Sequence, residues 1–342
     1  MLDRKELDKI RELLEKSQNP LFLFDNDADG LCSFLILQRA IGRGKGLHIK
    51  SFPELEKQYL RKIEELNPDA VFILDKPRIS EEFIKGVIAK NLPLIIIDHH
   101  AIEFNFKDEN LYYFNSAPSS EPVTYLCYKV FERKQDQWVA MIGCIGDVYM
   151  PDFAPKFAEE YPELFNVKYN AFDAMYTTEI GKIVKMLNFG LKDTTTNVVK
   201  LIKFLIKANS AHDILEENAN TKQLHFRYRQ IDKLYNRLIE KALAENKNSK
   251  LLFFSYAGEM SMSAELSNEL YFKNKNKLVV VAFRKHDRAN ISVRGKNAKR
   301  ITLEAIKNIE RASGGGHEVA CGAQVPIDKL DEFKKKIEEL VG

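Results

Sequence analysis

A chain of 342 residues, 45% apolar and 30% charged, has material for two domains and a packed core, and reads as an ordinary soluble globular protein. It holds no run of about 18 apolar residues, which excludes a helical membrane span. The net charge is only +3, and four cysteines (Cys32, Cys127, Cys144, Cys321) without a CxxC pair argue against a thiolate zinc site and for a reducing, cytoplasmic setting.

The polar start, Met-Leu-Asp-Arg-Lys-Glu-Leu, lacks the apolar core of a signal peptide. Leu7 to Leu14 has the spacing of an amphipathic helix. Leu21 to Phe24 then reads as a short buried strand, followed by Asp25, Asp27 and Asp29 at alternate positions. Gly30 allows a tight turn, and Leu31 to Ala40 reads as a helix. Acids crowded where a strand stops repel one another. Two readings are open: an Asx-type capping turn, or a cradle for a hard cation such as Mg²⁺ or Mn²⁺.

Further along, a strand over Leu47 to Phe52, a Glu-rich helix to Leu66, a strand over Ala70 to Leu74, a helix from Glu81 to Ala89 and a strand over Leu94 to Ile97 are predicted. Strands apolar on both faces and alternating with helices imply a mostly parallel sheet, with its chemistry beyond the carboxyl ends. Those ends deliver the three Asp residues, then Asp75, then Asp98-His99-His100. A buried helix from Gln137 to Ile145 runs into Gly-Cys-Ile-Gly-Asp, which places Asp147 after a glycine turn.

Asp152 to Asn220 is helical in pattern, with Thr194 to Thr196 and Asn209 to Asn220 as loops or helix boundaries. Leu224 to Ala244 reads as a long amphipathic connector, and the polar break from Glu245 to Lys250 marks a boundary. A second domain follows: a strand over Leu251 to Tyr256, a helix from near Ser263, and a hairpin of Lys277 to Arg284 with Asn290 to Arg294. A helix from Thr302 to Glu310, a turn at Gly314-Gly315-Gly316-His317, a strand over Ala320 to Val325 and a closing helix complete it. The expected architecture is α/β: a mostly parallel sheet domain (1–195), a central helical region (196–249) and a smaller mixed α+β domain (250–342).

Charge separates the two ends. From Lys247 onward 18 Lys and Arg meet 12 Asp and Glu, against 34 and 37 before it, and Tyr271 to Arg300 holds ten basic residues and one acid. A basic module joined to an acidic one suits a polyanionic substrate, although a solvated face has the same composition. Three glycines before His317 let backbone amides approach an anion, while His317 and Arg294 can contact phosphate; an incidental loop histidine is the alternative. Ser263, Glu265 and Asn268 form a polar patch or a capped helix start. Lys273, Lys275 and Lys277 either track a nucleic-acid backbone or keep an edge strand soluble. Tyr271 and Phe272 could stack on bases, and Phe283 reads as core. His48, His212, His225 and His286 join no ligand cluster, although His225 could shield a cleft.

Asp25-x-Asp27-Ala28-Asp29-Gly30, Asp75, Asp98-His99-His100 and Gly143-x-x-Gly146-Asp147 resemble, in this order, the four motifs of the DHH phosphoesterase superfamily. Ser292-Val293-Arg294-Gly295 and Gly314-Gly315-Gly316-His317 resemble the associated DHHA1 domain. RecJ-like single-strand exonucleases, with their archaeal relatives, are the most similar type. The resemblance implies that Asp27, Asp29, Asp75, His99 and Asp147 ligate Mn²⁺ or Mg²⁺, with Asp75 bridging two ions, or one ion in the apo protein. His100 would face the scissile phosphate, Asp98 would orient an imidazole, and Asp25 would stand just behind the ligands. Arg294, Gly314 to His317 and Ser263 would bind substrate. The sequence departs from other branches at Leu23, where they carry a ligand histidine, and at Asp75-Lys76-Pro77, which lacks a glycine after the Asp.

The expected activity is end-wise hydrolysis of single-stranded DNA or RNA to mononucleotides, in a cleft between the domains. Expected partners are single-stranded nucleic acid and a replication or repair protein, with no membrane, in a monomer or homodimer. Rivals are a phosphodiesterase for very short oligoribonucleotides or cyclic dinucleotides, and a weakly catalytic replication or repair scaffold. A pyrophosphatase is disfavoured by Leu23.

Overall fold

A computed structural model describes residues 1–49, 55–245 and 250–342. The chain divides into two compact units, Met1–Tyr228 and Arg229–Gly342. The first opens with α1 (Arg4–Lys16), whose start is fixed by a capping box between Asp3 and Glu6. There follow β1 (Pro20–Asp25), α2 (Ala28–Ile41), β2 (Lys45–Ile49), α3 (Leu60–Leu66), β3 (Ala70–Leu74), α4 (Glu81–Ile88), β4 (Leu94–Asp98), β5 (Leu111–Asn115), α5 (Val123–Phe131) and α6 (Gln137–Gly146). The strands form one all-parallel sheet in the order β2-β1-β3-β4-β5.

Both faces of that sheet are covered, as its apolar strands require. Phe22, Phe24, Phe72, Leu74, Ile95 and Ile97 pack with α1, α2, α5 and α6, whereas Leu21, Leu23, Val71, Ile73 and Ile96 pack with α3 and α4. Phe34 of α2 stacks on Phe24 at 5.1 Å and meets Phe22 edge-on. Each such side chain contributes roughly 2–3 kcal/mol on burial, a frame stiff enough to hold charged strand ends together. The helices α7 (Ala154–Glu160), α8 (Ala171–Thr177), α9 (Glu179–Gly190), α10 (Thr195–Lys207) and α11 (His212–Leu215) follow, α9 packing on α6. α12 (Lys222–Glu245) carries the chain into the second unit.

That unit contains β6 (Leu251–Ala257), α13 (Ser263–Lys273), β7 (Leu278–Lys285), β8 (Arg288–Arg294), α14 (Ala298–Ile306), β9 (Ser313–His317), β10 (Ala320–Pro326) and α15 (Leu330–Val341). Its sheet is mixed, in the order β6-β7-β8-β10-β9. The inward residues Val280, Ala282, Ile291, Val293, Cys321, Ala323 and Val325 pack on Ile301, Ala305, Phe333 and Ile337 of α14 and α15.

Several expectations change. β5 and α5 are additional elements. The glycine triplet and His317 form β9, a strand paired with β10, rather than a turn. The preceding helix begins at Ala298, four residues earlier than expected, because left-handed Asn297 (φ 58) redirects the chain there. Lys273 ends α13, Lys275 and Lys277 lie between it and β7, and β7 itself is inside the sheet, so these lysines do not guard an edge strand. Positions 50–52 of the expected second strand, and 246–249 of the expected boundary, lie outside the described residues. Among the described residues, no helix is long and apolar enough to cross a membrane.

Candidate functional site

The carboxyl end of β1 and the start of α2 set out the first acids. Asp25 is the last residue of β1, and Asp27 caps α2, its Oδ1 accepting from the Gly30 amide at 3.0 Å. Asp29, 3% exposed, lies in the first turn. Its two carboxylate oxygens accept from the Val123 amide (3.0 Å) and the Thr124 amide (2.7 Å), so the positive end of α5 is aimed at it. The Thr124 hydroxyl donates to the Asp29 carbonyl at 2.9 Å. Gly30 is required for close packing rather than for a turn: a Cβ there would stand 2.5 Å from the Asp25 carbonyl oxygen.

β3 and β4 bring the next groups alongside. Asp75 follows β3 in the left-handed region (φ 57), a conformation that costs energy in a non-glycine residue. Asp98 ends β4, fully buried, and its Oδ1 lies 2.8 Å from His100 Nδ1. His99 Nε2 is 3.3 Å from Asp75 Oδ1, and His99 Nδ1 is 3.6 Å from Asp147 Oδ2. Asp147 caps the end of α6 and is followed by Val148 at φ 56, a strained setting for a β-branched residue. Gly143 and Gly146 are helical, not a turn. Their missing side chains let α6 sit against Thr124 and Ala28, since a Cβ on Gly143 would lie 2.2 Å from Thr124 Oγ1.

These acids disturb one another. Burial first, and then the charges of Asp25 and Asp29, lift the Asp27 carboxyl to about 7. Burial and neighbouring carboxylates also push Asp75 and Asp147 well above the usual range. Burial opposes protonation of His100, but the hydrogen bond to Asp98 and the charges of Asp98, Asp27 and Asp29 raise its pKa on balance. Asp75 Oδ1, buried, has no hydrogen-bond partner among the described residues. Among the described residues, three sets of ligand atoms fall within 4.8 Å of one another: Asp75, His99 and His100; Asp29, His99 and Asp147; Asp25, Asp27 and Asp75. Carboxylate oxygen with imidazole nitrogen is a donor set that fits Mn²⁺ or Mg²⁺.

In the second unit the antiparallel register places Arg294, Ala320 and His317 in one row across β8, β10 and β9, with Ser292, Gly322 and Gly315 in the next. Directly paired residues share a face, so both rows lie opposite α14 and α15. α13 covers part of that face: Ser263 Oγ accepts from Ser292 Oγ at 3.1 Å, and Arg294 Nε donates to Asn268 Oδ1. Of the glycine triplet, Gly314 and Gly316 are demanded by packing. A Cβ on Gly315 meets nothing within 4 Å, and one on Gly322 meets only backbone oxygens at 3.7 Å and beyond. The floor beside Ser292, over Gly322 and Gly315, is therefore bare backbone.

Sequence reasoning missed Thr124, Lys76, Gly322 and the polar alternation Arg288-x-Asn290-x-Ser292-x-Arg294, although the last is legible as a period of two. His225 Nε2 bonds the Ile214 carbonyl at 2.9 Å and ties down the start of α12. His212 pairs with Glu163. Phe283 is core, 2% exposed, while Tyr271 and Phe272 are half-buried.

Residues 21–146 match the model of the DHH family, N-terminal domain, and residues 247–342 that of the DHHA1 domain. An uncharacterized protein of Methanocaldococcus jannaschii is 24% identical, over 99% of this chain and 98% of its own length. RecJ of Thermus thermophilus in complex with Mn²⁺ superposes with a TM-score of 0.68 at 15% identity, covering 99% of this chain and 54% of the Thermus protein. An exonuclease RecJ bound to manganese superposes at 0.66 with 16% identity, covering 99% of this chain and 94% of that one. The chain thus spans about half the length of the Thermus protein, and the likeness to both is one of fold.

Proposed function

We propose, for a chain that belongs to the DHH family and carries a DHHA1 domain, a divalent-metal-dependent phosphodiesterase that removes mononucleotides from an end of single-stranded DNA or RNA. The observation that carries this reading is the gathering of Asp27, Asp29, Asp75, His99 and Asp147 from four separate segments, in overlapping groups of metal-holding geometry. A fold has no use for repelling carboxylates unless a cation meets them. An ion held by these residues would supply Lewis acidity and make a bound water more acidic.

The rest of the work falls to the chain's own side chains. Asp98 fixes the ring of His100 through Nδ1 and keeps it cationic toward neutral pH, so that its Nε2 edge addresses a phosphate oxygen and can deliver a proton to the leaving group. The α5 amides hold Asp29 in one orientation. In the DHHA1 domain, Arg294 and His317 contact phosphate, Ser263 and Ser292 line the same face, and Gly315 and Gly322 admit a sugar–phosphate backbone.

The test is degradation of matched single-stranded DNA and RNA, about 4 and about 30 nucleotides long, labelled at either end, with Mn²⁺. Asp75→Asn and His100→Ala run alongside. Digestion of the long strands, abolished in both variants, is the expected result, and the label gives its direction. Cleavage confined to the short strands would identify an oligonucleotide phosphodiesterase. No metal-dependent cleavage of any substrate would refute the proposal in favour of a binding role.

A further inference from the structure

The residue after left-handed Asp75 is Lys76, whose side chain is 1% exposed. Its Nζ lies 3.1 Å from Asp25 Oδ1, a carboxylate itself 11% exposed. Lysine is seldom fully buried, and a buried ammonium needs a carboxylate. Asp25 belongs to the ligand group that contains no imidazole, with Asp27 and Asp75; each of the other two groups includes His99. The same side of β1 lacks a further donor. Leu23, two residues before Asp25 and on the same face, is buried in the cluster of Leu21, Ile73 and Phe83.

An ion seated on Asp25 Oδ1 would sit about 2 Å from that oxygen and so within about 5 Å of the ammonium, where a divalent and a monovalent cation repel strongly away from bulk water. We infer that Lys76 is a built-in cation standing in for the second ion, so that the centre holds one divalent ion, on the side of His99 and Asp147. Lys76 is then a positioning residue: it neutralises Asp25 and fixes the edge of the acid cluster without touching the reacting atoms. The inference rests on the metal-centre reading proposed above.

The experiment counts Mn²⁺ bound to the metal-free protein without substrate, by calorimetry and by the electron-spin-resonance signal of free Mn²⁺. The wild type should bind one equivalent and show no spin-coupled manganese pair at saturation. Lys76→Met, a neutral chain of similar length, should gain a second equivalent, bound about tenfold or more tighter than any second ion in the wild type. Lys76→Arg should stay at one, and adding Asp25→Asn to Lys76→Met should return the count to one. Two equivalents or a spin-coupled pair in the wild type would overturn the role of Lys76 while leaving the metal centre standing, and this reading needs no variant to fold. A folded Lys76→Met that still binds one ion would overturn it as well; Lys76→Gln replaces it if the Met variant does not fold. Absence of Mn²⁺ binding altogether would remove the metal centre itself.

Discussion

Replacing Asp27 with Asn should stabilise the metal-free protein at pH 8 while weakening its hold on Mn²⁺, because a negative charge beside the ion is lost. The Asp27 carboxyl moves from its ordinary 3.8 to about 7 on folding, through burial and the charges of Asp25 and Asp29. A carboxyl whose folded pKa exceeds its unfolded one binds more protons in the folded state between the two values. Its stabilising contribution is therefore complete below about pH 4 and lost as pH rises through about 7. At about 1.4 kcal/mol per pH unit, full linkage amounts to about 4 kcal/mol. Neighbouring acids share protons and take up part of the relief, so we expect a gain of about 2 kcal/mol at pH 8, about a third of that at pH 5, and none near pH 3. The helix cap survives, because an Asn oxygen can still accept the Gly30 amide that Asp27 Oδ1 holds at 3.0 Å. The assay is urea unfolding of both proteins in EDTA at pH 5 and 8, repeated with Mn²⁺, which should reverse the order of stability. An equal gain at both pH values, or a loss at pH 8, would refute the reasoning.

Mn²⁺ affinity itself should rise between pH 6 and pH 8, with protons released, because Asp75 and Asp147 must ionise to hold the ion and Asp27 ionises beside them; calorimetry in buffers of different ionisation enthalpy measures the release. Asp98→Asn should lower the pKa of His100, because burial is then opposed by weaker partners, and an imidazole proton titration by NMR reads it directly. In Gly143→Ala the new methyl would meet Thr124 Oγ1, whose hydroxyl holds the Asp29 carbonyl; overpacking of this kind costs about 1–3 kcal/mol, seen as a lower urea midpoint, with weaker Mn²⁺ binding. Arg294→Gln should weaken binding to single-stranded oligonucleotides of any sequence and reduce the salt dependence by about one charge, measured by fluorescence anisotropy at several salt concentrations.

The sequence by itself determined the parallel sheet and where its chemistry would sit. Four- and five-residue apolar runs such as Leu21–Phe24, Ala70–Leu74 and Leu94–Ile97 bury both faces inside a covered sheet, and each of these three stops at an acid, which cannot follow it into the core. Local pattern also found α1, α4, α13 and the β7–β8 hairpin, because periodicity and caps act over a few neighbouring residues. Tertiary structure alone decided what depends on partners distant in the chain. Asp29 is oriented by amides 94 and 95 residues away, and Lys76 reaches Asp25 across 51. Gly143 looks like a turn former until Thr124 is placed against it. The triplet Gly314 to Gly316 has no side chains from which to read a strand, and becomes one because β10 supplies the hydrogen bonds that its own sequence cannot announce. Burial pattern is written locally in residue type; the identity of the group across a contact is set by the chain's path, and in this protein the charges at the site depend on that path.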